Sequence, residues 1–122
     1  MDTVVISSER PFVFESIAKV LSAEWPVDYS DVPFLEPVVA VDAKQSRVYL
    51  HLGDEPEEEG KFTLFMDYSD VELAKQVLVK FADDHSLLVD NDLGTILPGD
   101  EFVARIVSNL GWNWRNPSRS HV

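Results

Sequence analysis

Pro37-Val38-Val39-Ala40-Val41-Asp42-Ala43-Lys44-Gln45-Ser46-Arg47-Val48-Tyr49-Leu50-His51-Leu52 is the stretch that decides the fold class. Two β-patterned runs, Pro37–Asp42 and Arg47–Leu52, flank the four residues Ala43–Ser46, the pattern of a hairpin. In the second run Val48, Leu50 and Leu52 alternate with Tyr49 and His51, so one face is expected to be buried. A glycine-bracketed loop, Gly53–Gly60, separates this run from Phe62-Thr63-Leu64-Phe65-Met66, which reads as a third strand. Three successive strands predict an antiparallel meander. They argue against a doubly wound parallel fold, which needs regular β-α alternation.

Working outward, Val4-Val5-Ile6 reads as a first strand, and Ser8 as the N-cap of a first helix over about residues 9–24 with Pro11 in its first turn. Val13, Ile17, Val20 and Leu21 mark its apolar stripe, and Trp25-Pro26 ends it, because a residue before proline avoids the helical region. Trp25 is expected in the core. Residues 26–37, with Pro26, Pro33 and Pro37, read as an ordered surface loop. Ser69-Asp70-Val71-Glu72 has the spacing of a capping box, with Ser69 as N-cap of a second helix over about residues 70–84, striped by Ala74, Val77, Leu78 and Phe81. Leu87-Leu88-Val89 reads as a strand, Asn91-Asp92-Leu93-Gly94 as a turn, and Thr95-Ile96-Leu97 as a short returning strand. Asp100 is the expected N-cap of a third helix striped by Val103, Ile106, Val107 and Leu110, with Gly111 past its end. The tail 112–122 shows no periodicity and is expected to fray. The order β-α-β-β-β-α-β-(β)-α implies one α+β domain over residues 1–122, a mixed but mainly antiparallel sheet with three amphipathic helices on one or both faces.

Charge is the strongest functional signal. Between Asp54 and Glu101 fourteen acids face three bases, Lys61, Lys75 and Lys80, so this segment carries −11 of the chain's net −12. Such a field favours a basic partner and disfavours nucleic acid and anionic membrane. The absence of cysteine excludes disulfides and cysteine nucleophiles and removes the usual structural zinc ligands. No apolar run approaches the roughly 20 residues that span a bilayer. Met1-Asp2-Thr3 lacks the basic start of a secretory signal, so a cytoplasmic location is expected.

The acids form two groups. Asp54, Glu55, Glu57, Glu58 and Glu59 crowd one loop, lacking the spaced ligands and central glycine of a calcium loop. They read as a solvated or partner-steering element. Asp83 and Asp84 close the second helix, where the macrodipole disfavours negative charge; a local rule broken there can mark function, and the equal alternative is that Asp83, Asp84 and His85 belong to the exit turn and point into water. Asp90 and Asp92 read as turn formers, with a paired-carboxylate acid/base unit as the alternative. His51, His85 and His121 are too scattered for a metal motif, and no nucleophile elbow or phosphate loop is present, so neither enzyme activity, cofactor nor metal is expected. Trp112 and Trp114 are either an interface anchor or a clamp that docks the tail on the core.

Taken with these groups, the stretch Val89-Asp90-Asn91-Asp92-Leu93-Gly94 leading to Pro98-Gly99-Asp100-Glu101-Phe102 resembles bacterial immunity proteins, which pair with toxins delivered by contact-dependent, Rhs-type or type VI systems. The resemblance is to a class. It implies a cytoplasmic bacterial protein that binds a basic cognate toxin, often a nuclease, and occludes it. The partner-binding residues would be Asp54, Glu55, Glu57, Glu58, Glu59, Asp83, Asp84, Asp90, Asp92, Trp112 and Trp114. Type III secretion chaperones are also similar in size and acidity. Their helix–three strands–helix–two strands–helix order implies a homodimer that holds an effector segment. An enzyme using Asp90 and Asp92 is the third class. The sequence leaves monomer and homodimer open.

Overall fold

The computed structural model describes residues 2–30, 38–43, 46–52, 61–109, 111, 112 and 114. In chain order they form β1 (Asp2–Ser8), α1 (Phe14–Ser22), β2 (Val27–Ser30), β3 (Val38–Ala43), β4 (Ser46–Leu52) and β5 (Phe62–Tyr68). Then follow α2 (Val71–Phe81), β6 (Leu88–Asp90), β7 (Ile96–Pro98) and α3 (Gly99–Ser108). The α+β class and the expected order hold, with β2 added and β7 confirmed. The seven strands lie in the order β2-β3-β4-β5-β1-β6-β7. Every pairing is antiparallel.

Alternation sets the two faces. Val39 and Val41, Val48 and Leu50, Leu64 and Met66, Val4 and Ile6, and Val89 all point to one side and are fully buried. Burying each such side chain contributes roughly 1.5–3 kcal/mol. The helices cover this side only: α1 lies on β2 and β3, α2 on β4 and β5, and α3 on β6 and β7. Phe14 and Leu21, Ala74, Val77 and Leu78, and Phe102 and Ile106 bring their stripes into the same core. On the other side a register row runs Val38–His51–Phe65–Val5–Asp90–Ile96 across six strands. His51 stacks on Phe65, and its Nε2 lies 2.7 Å from Asp67, which also accepts from Thr3 Oγ1.

Several local expectations need correction. The first helix begins at Phe14, because β1 stays extended and paired through Ser8, and Ser8 Oγ accepts the Arg10 N–H in a tight turn instead of capping. Residues 27–30 are an edge strand on β3, not loop. Their apolar positions, Val27 and Tyr29, face the helical side at the strand period. The second helix is capped by Asp70, whose carboxylate accepts the Glu72 N–H, rather than by Ser69. The third helix starts at Gly99, one residue before Asp100, because the Gly99 N–H is bonded to Leu87 O. Phe102, Val103 and Ile106 form its buried stripe, and Val107 is 59% exposed. The chain leaves α3 at Asn109, ahead of Gly111. Leu110 lies outside the described residues.

Candidate functional site

At one end of the sheet β1, β4 and β7 finish while β5 and β6 begin, as the pairs Ser8–Phe62, Leu52–Leu64 and Leu88–Pro98 show. The same end holds the exit of α2 and the start of α3. They meet because Gly99 lies against the α2 exit. A Cβ at Gly99 would overlap the carbonyl oxygens of Ala82 and Asp84. Only glycine permits that approach. The close contact brings Asp83 and Asp84, from the α2 exit, beside Asp100 and Glu101, in the first turn of α3. Glu9, just past β1, stands at this end as well.

Asp83, Asp84, Glu101 and Glu9 are exposed and Asp100 is half-exposed. Asp84 Oδ1 accepts from Ser86 N–H at 2.9 Å and from Ser86 Oγ at 2.7 Å. These two bonds hold its carboxyl below the usual carboxylate range, so the charge is fixed. His85 Nδ1 lies 3.0 Å from Asp100 Oδ1. That bond, then the Asp100 charge, with smaller contributions from Glu101 and Asp84, raises the imidazole above its ordinary value. Among the described residues Arg10 and Lys61 also stand at this end, and Lys80, in the last turn of α2, is paired with Glu24.

The lysine and arginine ion pairs of the described residues use other acids: Arg47–Asp42, Lys75–Glu72 and Lys80–Glu24. Asp42, Glu72 and Glu24 thus have a lysine or arginine partner, whereas among the described residues the acids of this end have only His85, paired with Asp100. The acidic loop Asp54, Glu55, Glu57, Glu58 and Glu59 lies outside the described residues. It joins Leu52 to Lys61, and β4 ends and β5 begins at this same end.

Asp90 and Asp92 do not join Asp83 and Asp84, because β6 runs between the two pairs toward the opposite end. There they serve a turn, as expected, and not a paired acid/base unit. Asp90 Oδ1 accepts the Asp92 N–H at 2.7 Å, and Asp92 and Gly94 adopt φ of 61° and 107°. Buried Asn91 accepts from the Leu93 and Thr95 N–H groups and donates from Nδ2 to Trp114 O.

Trp112 and Trp114 are 2% and 0% exposed, so as folded they clamp the core and present no surface to a partner. Trp114 Nε1 donates to Tyr68 Oη at 2.9 Å, and both rings pack on Phe102. Lys75, 4% exposed, donates to Trp112 O. Arg105 lies over the Trp112 ring at 4.5 Å. The expected fraying does not apply to these two residues. His51 takes a structural position, and His121 lies outside the described residues. No three His, Asp or Glu of the described residues converge as metal ligands, and no helix is long and apolar enough to cross a membrane.

Sequence reading missed Asp100, Glu101 and Glu9 as members of this end. Asp100 had been assigned a capping role. The pairing of β6 with β7 was the available signal, since an antiparallel hairpin returns the chain to where α2 leaves it. Comparison with protein-family models, curated proteins and solved structures returns no match to this chain.

Proposed function

We propose that this chain is an acidic binding protein that neutralises a basic protein partner, and that it serves as the immunity protein of a cognate toxin. One observation carries the reading: Asp83, Asp84, Asp100, Glu101 and Glu9 gather at one end of the sheet, where among the described residues His85 alone is ion-paired to any of them and no lysine or arginine is. A concentrated field of one sign raises association rates and orients the partner, and it repels nucleic acid. An acidic end of this kind is complementary to the basic cleft of a nuclease, where it would take the place of the phosphate backbone. Binding and occlusion require no catalytic group.

The test is the polypeptide encoded immediately beside this chain. Expressed alone it should arrest growth, and co-expression of this chain should restore it. Purified together, the pair should associate more slowly as salt rises, because the Debye length at physiological ionic strength is only about 8–10 Å. No rescue, or an association rate unchanged from low to high salt, overturns the reading. A stable dimer in light scattering without any partner would favour the secretion-chaperone alternative. Against that alternative, β1 and β2 exceed the chaperone order.

A further inference from the structure

A cleft of about 280 Å³ opens at the acidic end between the segment leading into α1 and the exit of α2. Phe12, Ile17, Phe81 and Leu87 line it, each packed against the core and only partly buried, so their remaining apolar surface faces the cleft. Asp84 belongs to the same lining. Both Ser86 bonds fall on Asp84 Oδ1, which leaves Oδ2 for another donor. A trough with apolar walls and an oriented carboxylate matches a side chain that buries an alkyl stem and keeps its cation at a polar rim.

The competing occupant is an anion. Arg10 also lines the cleft, and α1, which starts beside it, has no side-chain cap. Glu15 in that first turn already meets the positive end of the helix, and Asp83, Asp84 and Glu101 oppose a second negative charge. Charge complementarity therefore selects the cation. Resting on the reading above, we propose that this cleft is the anchor pocket for one lysine or arginine side chain of the basic partner. Its stem lies against Phe12, Ile17, Phe81 and Leu87, and its cation meets the Asp84 carboxylate. Arg10 is the resident charge that the incoming cation must outcompete.

The test uses small probes on the full chain and needs no partner. Amide chemical shifts are followed by NMR during titration with n-butylammonium, which reproduces a lysine side chain. Methylammonium supplies the charge without the stem, and butyrate supplies a stem with the opposite charge. n-Butylammonium should shift Ile17, Ser86 and Leu87 and bind at least about fourfold tighter than methylammonium, as one buried methylene provides. Asp84→Asn, whose amide oxygen still accepts from Ser86, should abolish the preference over butyrate. Arg10→Ala should tighten n-butylammonium binding by about twofold, the scale of an exposed charge pair. Equal affinity for the two ammonium ions, stronger binding of butyrate, or weaker cation binding in Arg10→Ala overturns the pocket. Those results leave the partner reading standing if association remains salt-dependent. Failure of growth rescue with an intact n-butylammonium site removes the partner reading alone.

Discussion

At the end of the sheet where β5 finishes and α2 begins, Trp112 and Trp114 are sealed against Phe102 and Tyr68, and Lys75 and Asn91 hold the backbone of the tail. At the end where α2 finishes and α3 begins, Asp83, Asp84, Asp100, Glu101 and Glu9 crowd together with few cations. The first end buries the polar groups that hold the tail, Lys75 and Asn91, and satisfies them, Trp112 Nε1 being the buried side-chain exception among the described residues. The second leaves like charges adjacent, which adds nothing to stability and concentrates a field. The contrast separates what holds the molecule together from what it offers to another molecule, and each substitution below tests that separation.

The largest effect belongs to Trp114→Ala. It removes a fully buried ring and its bond to Tyr68 Oη, and such truncations cost about 3–5 kcal/mol. Urea denaturation should show a lower midpoint, with the association rate of the folded fraction unchanged. A normal midpoint combined with lost binding would make the tryptophan pair an interface and dissolve the contrast. Gly99→Ala comes next. Its Cβ meets two backbone carbonyls, which cannot turn aside like a side-chain tip, so overpacking costs about 1–3 kcal/mol. The acids should also separate, so this variant should weaken binding and stability together, which Trp114→Ala should not.

Reversing Asp83, Asp84, Asp100 and Glu101 to Lys together should do the opposite. Stability at neutral pH should fall far less than in Trp114→Ala, since all four are surface positions, with any loss coming from the Asp84 bonds to Ser86 and the Asp100 pair with His85. Association with the basic partner should slow by about tenfold or more at low salt, the lower end of electrostatic steering. Stopped-flow rates across a salt series measure this. A large loss of stability would mean that these acids carry structure rather than field.

How far this division was legible in the sequence depended on the range of the interactions. Val48-Tyr49-Leu50-His51-Leu52 announced its buried face through period two alone, and the meander followed. The end of the first helix at Trp25-Pro26 was likewise close to the observed Ser22, since proline acts locally. Strand β2 was hidden by the prolines around it, although Val27 and Tyr29 already alternate. The choice between Ser69 and Asp70 as cap rests on which carboxylate or hydroxyl the body of the protein orients, and Ser46 Oγ, 24 residues away in sequence, donates to Asp70. The tail had no period to read, because Trp112 and Trp114 are held by Lys75, Asn91 and Tyr68 from three other segments. The acidic end is of the same kind. Asp83, Asp84, Asp90 and Asp92 looked like one group in sequence. The sheet divides them and joins the first pair to Asp100 and Glu101 instead.

The smallest expected effect comes from His85, the one imidazole at the acidic end among the described residues. Its folded value is raised above the ordinary 6.5, chiefly by Asp100. The folded state therefore holds the proton more tightly than the unfolded chain. The resulting stability is fully present below about pH 6.5 and fades as pH rises through the raised value. Against His85→Gln, which keeps a donor but cannot take a charge, the wild type should be more stable in mildly acidic buffer, and the gap should close toward alkaline pH. Because His85 is fully exposed, added salt should shrink the gap as well. Binding should move in the other direction. Deprotonation removes the cation beside Asp100, so the field strengthens and the association rate should rise slightly with pH in the wild type but not in His85→Gln. A stability gap that widens with pH would show that Asp100 does not hold the imidazolium.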